Sequence, residues 1–160
     1  MLTIRPATIQ DAPVVTALIR QMAEYDRLGN EVSVLEEDVI RDGFGETPRF
    51  RVLLAEYDGK IAGYALFFPF YSSFQGRPAL FLDDLYVREP FRKHGVGAAL
   101  LAHVCQTAIR EDYFCVRCEM LDWNQPSIDF YGKLNAVFMS EWKSALLIGE
   151  ALQATAAKAK

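Results

Sequence analysis

The spacing of apolar and polar residues marks out the elements of this chain one after another. Leu2-Thr3-Ile4-Arg5 alternates and predicts a short strand. Thr8 and Asp11 have the spacing of a capping box, and Val15, Leu18, Ile19 and Met22 then recur on one helical face. A second helix is predicted over Val34 to Arg41, ended by Asp42-Gly43-Phe44-Gly45. Phe50 to Glu56 and Ile61 to Phe68 read as the strands of a hairpin, since Asp58-Gly59 suits a turn that requires positive φ. Pro69, Ser72, Ser73, Gly76 and Pro78 predict a loop. Ala79 to Val87 is almost continuously apolar, the pattern of a central strand covered on both faces. Gly95 to Arg110 predicts a helix, with Val96, Leu100, Val104 and Ala108 every fourth residue. A strand over Tyr113 to Leu121, a short helix over Pro126 to Lys133 and two closing strands, Ala136 to Met139 and Trp142 to Ile148, complete the pattern. The order is that of one mixed-sheet α/β domain over residues 1–149, followed by an Ala- and Lys-rich tail over 150–160 that is either a frayed helix or disordered.

Composition narrows the field. A chain of 160 residues, 51% hydrophobic and 24% charged, suits a single globular domain, and 11 Phe, 7 Tyr and 2 Trp supply its core. No apolar run reaches the roughly 18–20 residues of a membrane helix, and the first residues lack a basic stretch followed by an apolar export signal. A cytoplasmic protein without a membrane partner is expected. A formal net charge of −4 without a basic cluster argues against nucleic acid as a partner. Three cysteines, Cys105, Cys115 and Cys118, fit a reducing compartment better than a disulfide scaffold. Cys115-Val116-Arg117-Cys118 has the spacing of a zinc or redox pair. It has no second pair, and neither His94 nor His103 lies at a paired ligand spacing, so buried strand thiols are expected and no metal.

The segment from Val87 to Gly97 carries the candidate chemistry. A strand ends, a loop turns and a helix opens at Gly95 and Gly97. The first N–H groups of a helix are unpaired and sit at the positive end of its dipole, and glycines let a phosphate approach them closely. Arg92, Lys93 and Arg88 add charge, so a pyrophosphate cradle is predicted. A nucleoside triphosphate loop would end in Gly-Lys-Ser/Thr, where Ala98-Ala99 stands here, and a dinucleotide loop would carry a third glycine near Leu100. Both fit poorly. On these residues alone, glycines serving only tight helix packing is an open alternative.

Arg92-Lys93-His94-Gly95-Val96-Gly97 matches R/Q-x-x-G-x-G/A and resembles the acetyl-coenzyme A loop of the GCN5-related N-acetyltransferases (GNAT). Within that superfamily the chain resembles the diamine (spermidine/spermine) and thialysine N-acetyltransferases. The likeness runs through Ile4-Arg5-Pro6-Ala7-Thr8, Asp42-Gly43-Phe44-Gly45-Glu46, Leu82-Asp83-Asp84-Leu85-Tyr86-Val87 and Trp123-Asn124-Gln125-Pro126-Ser127-Ile128-Asp129-Phe130-Tyr131. The resemblance implies a central mixed sheet flanked by helices and acetyl-CoA as cosubstrate. It places the pyrophosphate on Lys93, His94, Gly95, Val96 and Gly97 with Arg92 nearby, and the pantetheine arm on Leu85, Tyr86 and Val87. Asn124 and Ser127 join the cofactor-binding set. Tyr131 corresponds to the family's general acid, and a phenol's reference pKa of about 10 is close enough to a thiol's ~8.5 for useful proton transfer.

Asp83 and Asp84 form a second constellation. Neighbouring strand residues point to opposite faces, so one of the two is expected to face an acceptor cleft. The resemblance assigns that role to Asp83, where the family carries a glutamate one methylene longer. It also brings in Tyr25 and Asp26 after the first helix, and Glu141 and Trp142, as acceptor-lining residues; aromatic faces and carboxylates together suit an ammonium ion. The implied reaction is direct acetyl transfer, in a ternary complex, to a small primary amine: a polyamine, a diamine or a thialysine-like amino acid. A homodimer is implied as well, for which Phe67 to Tyr71 and Phe74 would suit an interface, a cleft lid or simply core. A non-catalytic acyl-CoA-binding sensor, or an acetyltransferase of protein and peptide amines, are the alternative readings.

Overall fold

The computed structural model describes residues 1–159, in two compact units that divide after Leu121. The first holds a five-stranded sheet: β1 (Leu2–Pro6), β2 (Arg51–Tyr57), β3 (Lys60–Ser72), β4 (Arg77–Val87) and β5 (Val116–Cys118), side by side in that order. The first three pairings are antiparallel, and β4 with β5 is parallel. Three helices accompany it: α1 (Ala12–Tyr25), α2 (Glu36–Phe44) and α3 (Val96–Arg110). The mixed α/β architecture is the expected one.

Alternation along β2 and β3 explains how both faces of the sheet are covered. Val52 and Leu54 lie opposite Leu66 and Tyr64, and these four pack with Ala12, Val15 and Leu18 of α1 and Val39 of α2. The intervening Leu53, Ala55, Ala65 and Phe67 are also buried, on the opposite face of the sheet, and α3 packs against β2, β3 and β4. The capping box forms, with Asp11 accepting from the Thr8 N–H at 2.8 Å. Arg5 of β1 grips the same carboxylate with two nitrogens at 2.8 and 2.9 Å, fixing the start of α1 to the sheet and holding Asp11 well below the usual carboxylate range.

Several expectations are corrected. The central strand of the five is β3, and β4 lies between it and β5, which it pairs with only from Leu80 to Leu82. The loop expected from Pro69 onward is a two-stranded arm, because β3 runs to Ser72 and β4 begins at Arg77. Phe68 lies directly across from Phe81 with rings stacked at 5.4 Å, and Phe70 meets Phe81 edge-on at 6.3 Å; these aromatic pairs hold the arm despite its prolines. Tyr71 and Phe74 at its tip are exposed. Helix α2 continues through Gly43 to Phe44, and a side chain at Gly43 would strike the Phe50 ring packed there.

The second unit contains α4 (Gln125–Lys133) and α5 (Gly149–Ala156). The closing strands expected over Ala136–Met139 and Trp142–Ile148 do not form among the described residues, and Val137, Trp142, Leu146 and Ile148 are exposed. The tail is helical in its first part, and its last residue, Lys160, lies outside the described residues.

One glycine is indispensable to the sheet. A Cβ on Gly63 would sit 2.3 Å from the Tyr86 carbonyl oxygen and 3.1 Å from Val87 Cα, both backbone atoms that cannot rotate aside. Gly63→Ala is therefore expected to destabilise the fold by about 1–3 kcal/mol. Urea denaturation measures this, and an unchanged midpoint would refute the close approach.

Candidate functional site

The loop between β4 and α3 is built as a concave stretch of bare backbone. Lys93 adopts φ 64° and Gly95 φ 79°, so the chain turns twice through the left-handed region before α3 starts. Gly95 is the N-cap, and the first helical bond runs from the Ala99 N–H to its carbonyl at 2.9 Å. The N–H groups of Val96, Gly97 and Ala98 thus precede the first intrahelical donor. A Cβ built on Gly95 meets nothing within 4 Å, and one on Gly97 meets only a Val87 methyl at 3.6 Å. That open space over unpaired amides fits a diphosphate. Lys93 is exposed, while Arg88 is drawn elsewhere, to Gln21 at 3.0 Å and the Ile61 carbonyl at 2.9 Å. The His94 ring packs on Tyr57, centroids 5.4 Å apart, so this residue offers the loop its backbone.

The neighbouring strand edge is open. Strand β5 pairs with Leu80, Phe81 and Leu82 and no further. The Arg88 N–H bonds to Ala62 across β3 at 2.8 Å, so by antiparallel alternation Tyr86 faces β3 while Leu85 and Val87 turn their amides and carbonyls to the uncovered edge. Arg92 confirms that direction for Val87, donating from Nε to its carbonyl at 2.9 Å. Its guanidinium lies over the Tyr25 ring at 4.4 Å and near Tyr86 at 5.8 Å. Residues expected on the coenzyme side and on the acceptor side therefore meet in one stack.

The expectation that Asp83 and Asp84 point to opposite faces is overturned by a bulge. Leu66 pairs with Asp84 but Phe67 pairs with Leu82, leaving Asp83 as the extra residue and interrupting the alternation. Both aspartates line one cavity of about 550 Å³, walled by Ile19, Val34, Val39, Phe50, Leu66 and Phe68. Asp84 accepts a 2.7 Å hydrogen bond from the Tyr64 hydroxyl, which itself has no exposed surface. Burial pushes the Asp84 carboxyl up to about 6, opposed by that bond and reinforced by Asp83 and Asp26. Asp83 is raised by burial and by Glu119, and Asp26 by burial. The Tyr64 phenol is pushed far above its ordinary value by its own burial and by Asp84. Tyr64 is the residue that sequence reasoning passed over: a tyrosine within the apolar run of β3 reads as core unless its carboxylate partner, Asp84, is known.

The second unit carries the rest of the predicted set. Asn124 is buried and caps α4, accepting from the Ser127 N–H at 3.3 Å, with Pro126 in the first turn. Tyr131 is buried on the same helix, its ring 5.1 Å from Phe130. Glu141 and Trp142 are exposed, in and just after a turn closed by the Trp142 N–H on the Met139 carbonyl. Cys118 ends β5, Cys115 lies just before it, and both are half-buried.

Residues 16–136 match the Acetyltransferase (GNAT) family. A thialysine N-epsilon-acetyltransferase of Bos taurus is 34% identical over 166 residues, covering 97% of each chain. An L-ornithine N5-acetyltransferase of Arabidopsis thaliana is 38% identical over 97 residues, covering 61% of this chain and 42% of its own. Among solved structures, an integron cassette protein from the mobile metagenome of V. cholerae superposes with a TM-score of 0.80 at 19% identity, covering 99% and 98% of the two chains. It shows the fold.

The raised Asp84 carboxyl has a consequence for stability. The folded protein holds this proton more tightly than the unfolded chain, so its stability falls as pH rises through the window from about 4 to 6. Asp84→Asn removes that ionisation. The variant is expected to be more stable than the parent at pH 7.5 by about 1–3 kcal/mol, with the advantage gone at pH 4. Denaturation at both pH values checks this; an equal difference at both would mean that the carboxylate is not desolvated.

Proposed function

The chain belongs to the acetyltransferase (GNAT) family, and from that premise we propose that it transfers the acetyl group of acetyl-CoA, in a ternary complex, to the primary amine of a small cation. Diamines, polyamines and thialysine-like amino acids are the acceptor classes. The observation that carries this reading is the conjunction, within one unit, of a bare-amide loop, an uncovered strand edge and a cavity lined by two carboxylates. The names of the relatives support the acceptor classes, since thialysine and ornithine both present an ammonium on a flexible chain.

Each residue then has a task. The N–H groups around Gly95 to Gly97 and the Arg92 and Lys93 charges hold the diphosphate. Leu85 and Val87 pair with the amides of the pantetheine arm as an added strand would, and one main-chain N–H at that edge steadies the carbonyl oxygen as negative charge develops on it. Acetyl-CoA supplies an activated acyl carbonyl and a thiolate leaving group. Asp83, with Asp84 beside it, attracts the acceptor ammonium and takes its proton, freeing the nitrogen lone pair; a carboxyl raised toward neutrality is a better base than an ordinary aspartate. Tyr131 returns a proton to the departing thiolate. Tyr25 and Asp26 complete the acceptor surroundings.

The catalytic domain in this reading covers residues 1–149, with 150–160 as an appendage. No helix among the described residues is long and apolar enough to cross a membrane, and the reading places the enzyme in the cytoplasm. It acts as a homodimer, a state that would cover the exposed apolar side chains of residues 137–148. Light scattering on the purified chain should return twice the 18.1 kDa monomer mass.

Thiol release from acetyl-CoA with a panel of amines tests the activity. Coenzyme binding without turnover on any amine would instead favour an acyl-CoA sensor. Tyr131→Phe is expected to lower kcat by roughly a hundredfold while changing acetyl-CoA affinity by less than about twofold; an unchanged kcat removes Tyr131 from the acid role. Gly97→Val should weaken coenzyme binding by crowding the amides at the start of α3, and retained affinity would mean the diphosphate sits elsewhere.

A further inference from the structure

The cavity that holds Asp83 and Asp84 is also lined by Asp38, Asp42 and Arg49 from α2 and the segment after it. The carboxylates of this second group are already matched. Arg41 bonds Asp38 at 2.9 Å and Asp42 at 2.5 Å, and Arg49 donates from Nε to Asp42 at 3.1 Å. Asp38 further accepts from the Leu35 N–H at 3.0 Å. Two acids and two guanidinium groups leave this part of the cavity wall near neutrality, unlike the aspartate pair on β4. The Arg49 fork is spent only in part. Its Nε is engaged, while its two terminal nitrogens make no hydrogen bond among the described residues, and its side chain is 80% exposed.

This charge pattern discriminates between acceptors. A diamine or polyamine carries ammonium groups at both ends, and its second cation would arrive at carboxylates whose charge is already balanced. An amino acid with a terminal amine carries one ammonium for the β4 aspartates and, at its other end, a carboxylate beside an α-ammonium. That zwitterionic end matches a wall that offers an unfinished guanidinium fork next to a carboxylate, and Arg binds carboxylates with two parallel donors. We propose that Arg49 receives the α-carboxylate of the acceptor and makes this enzyme selective for amino acids bearing a side-chain amine over the corresponding diamines. The inference rests on the acetyltransferase reading and narrows it to one acceptor class.

Matched pairs that differ only in the α-carboxylate test it: L-lysine against cadaverine, and L-ornithine against putrescine, in the intact protein at saturating acetyl-CoA. The wild-type protein should favour each amino acid over its diamine by tenfold or more in kcat/KM. Arg49→Gln should lower that preference by roughly tenfold or more, the loss falling on KM for the amino acid rather than on kcat, and Arg49→Lys should restore part of it as a single point charge. Arg49 is exposed, so both variants are expected to fold. Turnover of either amine with a preference that Arg49→Gln leaves unchanged overturns the role of Arg49 while the acetyltransferase reading stands. Tight acetyl-CoA binding with no turnover of any of the four amines overturns both.

Discussion

The site depends on the parting of β4 from β5 after Leu82. A parallel pair that stayed together would use up the outward amides and carbonyls of β4 in a ladder. Because β5 stops at Cys118, Leu85 keeps both of its groups and Val87 its amide, the Val87 carbonyl being held by Arg92, and the chain can offer these to an extended, amide-bearing ligand. The bulge at Asp83 belongs to the same place. It sits one residue beyond the last β4–β5 pair and brings adjacent carboxylates to one cavity. Backbone geometry, more than any single side chain, thus separates an open edge from a carboxylate-lined cavity on the same strand.

Burying carboxylates against Tyr64 is expensive, and the fold offsets the cost locally. Tyr64 is buried in one cluster with Val15, Leu18, Leu54 and Leu66, and its hydroxyl donates to Asp84. A hydrogen-bonded, partly desolvated acid is a poor contributor to stability and a useful proton acceptor, and such tension between the two is common at functional sites. The Arg92 stack on Tyr25 and Tyr86 ties the coenzyme loop to the wall of the same region, so movement of the guanidinium toward a diphosphate would also free the Tyr25 ring.

Much of this was legible in the sequence where local chemistry decides. The Thr8–Asp11 capping box, the Asp58-Gly59 turn with φ of 49° and 74°, and the glycines opening α3 are each fixed by residues within a few positions of one another. The errors fall where distant pairing decides. Cross-strand phenylalanines carry β3 past Pro69, and a bulge defined only by the β3 partner reorients Asp83 and Asp84. Residues 136–148 show the converse: their apolar pattern is that of strands, but a strand exists only with a ladder partner. The candidate site divides the same way. Its loop was visible as a motif, whereas the Tyr64–Asp84 bond and the position of Arg49 on the cavity wall appear only once the chain is folded.

A crystal structure of the intact chain with coenzyme A bound tests the central claim most directly. It should show diphosphate oxygens about 3 Å from the main-chain nitrogens of Gly95 to Ala98, and pantetheine amides hydrogen-bonded to Leu85 and Val87 along the uncovered edge of β4. A coenzyme bound elsewhere, with that loop bare and that edge closed by another strand, would contradict the account.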